Sequence, residues 1–185
     1  MPSASPKANR GPSAGPENRR ALITAAREVF AADGFAAPLS AVAKRAGVGQ
    51  GSLYRHFPDR LALALAVLDE NVGELESHAG RPDATLDSLL DVVIDQALVT
   101  SPFVEAILGE GDDPRVLALG TRLDALARRV YTQERAADRI AAHVEPDDII
   151  MAISMVGATL TRIPEPYRAA TAARAKAMFH RSFSH

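Results

Sequence analysis

Between Glu17 and Phe183 the apolar residues recur every three or four positions and nowhere alternate one by one. That is the helical period, so each segment has one apolar stripe to bury and the expected fold is all-α. Glycines and prolines cut the pattern into about nine helices. In the first, Leu22, Ile23, Ala26, Val29 and Phe30 share a face, and Gly34 ends it. A short second helix spans about 39–46, with Leu39, Val42, Ala43 and Ala46 on one side and Gly47 closing it. A third spans about 50–56, and Pro58 precedes a long fourth over 59–78 that breaks at Gly80-Arg81-Pro82. Leu86, Leu89, Leu90, Val93, Ile94, Ala97 and Leu98 line the next, with Asp87, Asp91 and Asp95 as a solvated stripe opposite. Pro102 is expected to start a separate short segment over 103–108, and 109–114 (GEGDDP) to form a loop. Val116, Leu119, Leu123, Leu126, Ala127 and Val130 mark another helix, and 147–163 and 167–183 the last two.

Several function classes fall away on composition. The 185 residues suffice for one domain or two small ones and can bury a core without staples. The chain has no cysteine, which excludes a disulfide scaffold, a thiolate zinc finger and a thiol nucleophile. No apolar run approaches the roughly eighteen residues of a membrane helix, so no membrane partner is expected. The N-terminus lacks the apolar region of a signal peptide, which makes the cytoplasm the expected compartment. No G-x-S-x-G motif or phosphate loop is present, and no enzyme is expected. His78 and His143 have no ligating partner three or four residues on, so neither a metal site nor a cofactor is expected. Glu110, Asp112 and Asp113 read as a solvated turn rather than a calcium loop.

Charge divides the chain. Residues 1–60 carry nine Lys/Arg against four acids, a net of +5, while 61–185 carry a net of −7. This is either chance surface charge or a basic module that meets an anion joined to an acidic one that does not. Residues 1–16, MPSASPKANRGPSAGP, contain nothing that can build a core and read as a disordered tail. Its Lys7 and Arg10 are either passive or sample DNA as a basic arm.

The informative stretch is 39–57, LSAVAKRAGVGQGSLYRHF. Ala43 is small where a following helix must cross closely, Gly47 permits the positive φ of a sharp turn, and Val48 and Leu53 fill the angle between helices. This describes a helix-turn-helix, or a plain tight helical hairpin. Against the hairpin, Gln50, Ser52, Tyr54, Arg55 and His56 make the outward side of the third helix almost wholly hydrogen-bonding. Glutamine can read adenine through paired bonds, hydroxyls suit phosphates, and Gly51 lets a backbone approach closely. Arg60 stands in the first turn of the next helix, against its dipole, which suggests a compensating external anion.

From about Arg19 to Leu68 the chain closely resembles the DNA-binding domain of the TetR family of bacterial transcription regulators. The matching residues are Ala25-Ala26, Phe30, Asp33-Gly34-Phe35, Val42-Ala43, Ala46-Gly47-Val48, Gly51-Ser52-Leu53-Tyr54-Arg55-His56-Phe57, Arg60 and Leu63. Beyond the tail over 1–16, the resemblance implies a helix-turn-helix domain over 17–62 and a helical effector-binding and dimerisation domain over 63–185. It implies a homodimer with one third helix per subunit in the major groove of a palindromic operator. Gln50 would meet bases, Ser52, Tyr54, His56 and Arg60 phosphates, and Leu53 and Phe57 the core. Pro38 stands where the family often has a capping Thr or Ser, and Ser40 could replace that hydroxyl. Gly49 and Arg60 replace a frequent Ser and Lys.

The resemblance also implies a small-molecule effector among the middle helices that releases a repressor from DNA. The alternatives are an activator or a ligand-independent DNA-binding protein of the same fold. Candidates for the effector wall are Leu90, Ile94, Phe103, Ile107, Leu123, Leu126, Met151 and Met155, an apolar set suited to a lipophilic or aromatic molecule. Met151 and Met155 are either an adaptable wall or a core pair. Arg122 is either a partner for an anionic ligand or a surface cation. The dimer interface is expected on the last two helices, at Ile153, Gly157, Leu160, Ala170, Ala177 and Met178.

Overall fold

A computed structural model describes residues 15–184, and within them every regular element is a helix. The elements are α1 (Gly15–Asp33), α2 (Leu39–Arg45), α3 (Gln50–His56), α4 (Arg60–Ala79), α5 (Leu86–Leu108), α6 (Pro114–Ala136), α7 (Pro146–Arg162) and α8 (Glu165–Phe183). The tail expected over 1–16 lies outside the described residues up to position 14, and Gly15 and Pro16 belong to the first turn of α1.

Local chemistry sets the boundaries. Asp59 caps α4 by accepting from the Ala62 amide at 2.5 Å. Thr85 and Ser88 satisfy each other's backbone at the start of α5. Asp113 caps α6 by accepting from the Arg115 amide at 2.8 Å, and Pro114 takes the position where a missing N–H is harmless. Asp113 therefore does more than solvate a turn. The separation expected at Pro102 does not occur, because α5 runs through it to Leu108. Phe103 explains the continuity: it is fully buried, and its ring lies 5.5 Å from Phe30 and 6.3 Å from Phe35. Burying an aromatic ring contributes about 2 kcal/mol or more, enough to offset much of the roughly 3 kcal/mol that an interior proline costs.

Two apolar cores run along the molecule. One gathers α1, α2, α3 and the first half of α4, together with Phe103 of α5 and Leu119 of α6. The other gathers the end of α4 with α5, α6, α7 and α8. The division expected between residues 62 and 63 thus falls inside α4 and inside one continuous core. Polar links reinforce α4 as the shared strut. Arg27 of α1 reaches Glu70 and the Val67 carbonyl, both at 3.3 Å. Arg122 of α6 grips the Glu76 carboxylate with two nitrogens, at 2.7 and 3.0 Å, and also meets Asp69. Arg115 of α6 spans Asp113 at 2.8 Å and Asp59 at 3.3 Å.

Candidate functional site

α2 and α3 form the expected angle. Gly47 has φ +67°, in the region that favours glycine, and the Val48 amide donates to the Ala43 carbonyl at 3.0 Å across the turn. Leu53 and Phe57 are buried and pin α3 from beneath. The opposite side of α3 presents Gln50, Gly51, Tyr54 and Arg55 to solvent, with Ser52 and His56 half-buried at its flanks. Tyr54 is 52% exposed, so its hydroxyl is available to a partner outside the chain. Ser40 is exposed in the first turn of α2, and neither Pro38 nor Gly49 gives its helix a side-chain cap. A Cβ at Gly51 would meet nothing within 4 Å, so nothing inside the chain requires a glycine there.

Arg60 is compensated from within. Its Nη1 donates to the Phe35 carbonyl and, at 2.6 Å, to that of Ala37. Its guanidinium lies 5.5 and 5.4 Å from the Phe30 and Phe35 ring centres. The external anion inferred from its position against the α4 dipole is therefore not needed to balance it. Arg45 pairs with Glu28, and Arg27 with Glu70. The cationic excess of the first sixty residues is thus partly spent on holding α1, α2 and α4 together.

Beyond α3, a cavity of about 310 Å³ lies between α4, α5, α6 and α7. Its wall includes Leu68, Val72 and Leu75 of α4, Val93, Ala97 and Ile107 of α5, Leu119 and Leu123 of α6, and Ile153 and Gly157 of α7. Polar members are Asn71, Gln96, Thr100 and Ser154. Of the expected effector wall, only Ile107 and Leu123 are there. Phe103 is taken up by the aromatic cluster with Phe30 and Phe35. Leu90 and Leu126 are buried in the core around α5–α8, and Ile94 packs against its edge. Arg122 faces a cleft beside Arg19, His56 and Asp69, where Glu76 and Asp69 neutralise it. Its bond to Glu76 holds that carboxyl below the usual carboxylate range. Met151 and Met155, at 57% and 47% exposure, lie on the outer side of α7.

The small-residue surface also divides. Ile153 and Leu160 are buried within the chain, so these two do not form the expected outer face, while Gly157 is half-buried at the cavity. Ala170, Ala177 and Met178 are exposed on α8. With Met151, Met155 and Tyr167 they leave an uncovered apolar surface on α7 and α8. Spacing puts residues 149, 152, 153, 156 and 160 on one helical stripe and 151 and 155 off it, but does not say which side turns inward. Asn71, Gln96 and Thr100 were missed as cavity residues. Their signal is polarity within apolar stripes, as in Leu68-x-x-Asn71-Val72-x-x-Leu75.

Among the described residues, no helix is long and apolar enough to cross a membrane, and no group of three or more His, Asp or Glu could hold a metal ion.

Residues 22–67 match the sequence model of the bacterial regulatory proteins of the tetR family. Over 62 residues the chain is 47% identical to the HTH-type transcriptional activator FasR of Mycolicibacterium smegmatis, a match that spans 33% of this chain and only 28% of FasR. Over 104 residues it is 36% identical to the HTH-type transcriptional regulator TtgW of Pseudomonas putida, covering 52% of this chain and 77% of TtgW. The solved structure of a TetR transcriptional regulator from Streptomyces coelicolor superimposes with a TM-score of 0.60 at 26% identity, over 90% of this chain and 98% of the other. With the helix-turn-helix geometry and the all-helical second half, these likenesses establish that the chain belongs to the TetR family of bacterial transcriptional regulators.

Proposed function

We propose that the protein is a homodimeric repressor that holds a palindromic operator through α3 and leaves it when a small molecule fills the cavity between α4 and α7. The observation that carries the DNA-binding part is the outward side of α3. Gln50, Tyr54 and Arg55 are exposed, with Ser52 and His56 half-buried beside them, on a short helix that Leu53 and Phe57 anchor. Gln50 reads a base in the major groove, and the flanking hydroxyls, with Arg55 and His56, hold phosphates. The uncovered surface of α7 and α8 supplies the dimer contact. Two copies joined there present two α3 helices to successive major grooves, about 34 Å apart. The unit over 17–62 acts as the DNA-binding part and 63–185 as the sensing and assembly part.

The test is fluorescence anisotropy with duplex from upstream of the protein's own gene, chosen for any inverted repeat it holds, against random duplex. Operator affinity at least a thousand-fold above random, lost on mutation of the repeat, is the expected result. Equal affinity for both overturns the reading. The name of FasR favours a second reading, activation, for this chain. Run-off transcription from the bound promoter decides between them, because a repressor lowers the transcript and an activator raises it.

A further inference from the structure

The chain that builds the 310 Å³ cavity does not close it. On the α4 side Leu68, Val72 and Leu75 are buried. On the α7 side the wall consists of Ile153, Ser154, Gly157 and Ala158. Ile153 is buried and Gly157 and Ala158 are half-buried, while Ser154, alone among the described wall residues, is exposed. The cavity therefore reaches the surface along α7. Ser154 follows Met151 by three residues and Ala158 follows Met155 by three, the spacing of neighbours on a helix. The mouth thus adjoins the two exposed methionines of the uncovered α7–α8 surface.

Neither the rim nor the inside carries charge. From residue 149 to 161, α7 has no Asp, Glu, Lys, Arg or His. In a two-fold dimer a patch meets its own copy, so a charged face repels itself and an uncharged apolar face is self-complementary. The cavity wall holds no charged side chain, and an ion entering it would leave water without meeting a counter-charge. The Thr100 hydroxyl is committed to the Gln96 carbonyl at 2.7 Å, and the Gln96 amide nitrogen to the Asn71 carbonyl at 3.1 Å and Glu74 at 3.0 Å. We infer that the cavity takes an uncharged apolar molecule and that a second copy of the chain, seated on the α7–α8 surface, closes its mouth, so that ligand and dimer stabilise each other. The inference rests on the proposed effector site and dimer contact. At the roughly 30 Å³ a water occupies in its liquid, the space holds about ten non-hydrogen atoms, the number in naphthalene. Covering about 55 Å² of ligand surface at the mouth is worth about ten-fold in affinity. Linkage then requires the ligand to strengthen the dimer by the same factor for each site filled. Release from the operator would leave that dimer intact.

The experiment uses naphthalene and its charged analogue naphthalene-2-carboxylate on the full chain. Equilibrium dialysis measures their affinity for the natural protein and for Met155→Asp, and sedimentation equilibrium measures the natural dimer with and without naphthalene. Naphthalene should bind the natural dimer about ten-fold more tightly than the Met155→Asp monomer, and at saturation it should lower the dimer dissociation constant ten-fold or more. The carboxylate should not bind. Gly157→Leu should abolish naphthalene binding, because Gly157 lines the cavity and no atom within 4 Å blocks a Cβ there. Equal affinity for dimer and monomer, or a dissociation constant that naphthalene leaves unmoved, would overturn the closed mouth and leave the effector-site reading standing. So would a Met155→Asp chain that stays dimeric, or a natural chain that is monomeric at every concentration. Tighter binding of the carboxylate than of naphthalene would overturn the ligand class. Failure of both probes to bind would overturn the effector site as well. Should either variant not fold, the dissociation constant of the natural chain with and without naphthalene still decides the matter.

Discussion

Arg60 shows how one side chain can carry a charge argument in the wrong direction. Its place in the first turn of α4 is unfavourable by the helix dipole alone. The groups that balance it are carbonyls 23 and 25 residues earlier, which the turn after α1 brings into reach. Such a partner cannot be read from spacing. Arg60→Ala should lower unfolding free energy by about 2 kcal/mol, the worth of charge-assisted bonds to two carbonyls, as measured by urea denaturation. Arg60→Lys should recover only part of it, because an ammonium lacks the planar fork that stacks on Phe30 and Phe35. Gln50 stands at the opposite extreme, exposed and owed to nothing in the chain. Gln50→Ala should cost about 1–3 kcal/mol of discrimination at one base pair per half-site, and uniform loss across all operator variants would remove it from base reading. Asp113 gives a pH signature. The Arg115 side chain first, and its backbone amide second, hold the carboxyl at about 2, below its ordinary 3.8. Because the folded value is the lower one, the stabilisation is complete above about pH 4 and is lost as pH falls towards 2. Melting temperatures of the natural chain and Asp113→Asn should therefore differ above pH 4 and converge near pH 2, since asparagine keeps the cap and drops the charge.

At the scale of the element, the periodicity located the helices well and their orientation less well. The recognition helix was legible because it combines both kinds of information, with Leu53 and Phe57 facing in and polar residues facing out. α7 was harder because both of its sides are apolar. Ile149, Ala152, Ile153, Val156 and Leu160 turn inward, and Met151 and Met155 turn out. Hydrophobicity without contrast does not tell an inner face from an outer one. The consequence for assembly is specific. Met155→Asp should disrupt the dimer, weakening association by about 2 kcal/mol or more, with little change in the stability of the fold. Sedimentation at micromolar concentration should then show monomer. A variant that sediments as the natural chain does would move the dimer contact elsewhere. α5 carries the complementary lesson: Pro102 is a sound helix-breaking signal, overridden by what Phe103 buries three-dimensionally.

On the scale of the whole molecule, α4 is the element that both halves hold. Arg27 ties it to α1, Arg115 and Arg122 tie it to α6, and its residues from Leu68 to Leu75 form one wall of the cavity. A ligand that displaces α4 would disturb the core that α4 shares with α1, α2 and α3, and the expected coupling is about 1–3 kcal/mol between ligand and operator. Arg122→Ala should reduce the fold-change in operator affinity that a bound ligand produces, because α6 then loses its grip on Asp69 and Glu76. Operator titrations with and without ligand measure this, and an unchanged ratio would exclude these ion pairs from the coupling.

The ring cluster of Phe30, Phe35 and Phe103 bears on how freely such a chain could exchange parts with its relatives. Two of the rings come from the amino-terminal unit and the third from halfway along the chain. A chimera made by joining residues 15–62 to a foreign sensing half would keep two rings and depend on the stranger for the third. Without a large side chain at that place, the graft would carry a void of aromatic size beneath α1, at about 3–5 kcal/mol. Exchange of halves between regulators of this kind is thus limited by a contact on α5 one helical turn from Ile107 of the cavity wall. The interchangeable piece is the stretch of α1–α4 taken together with its aromatic plug from α5.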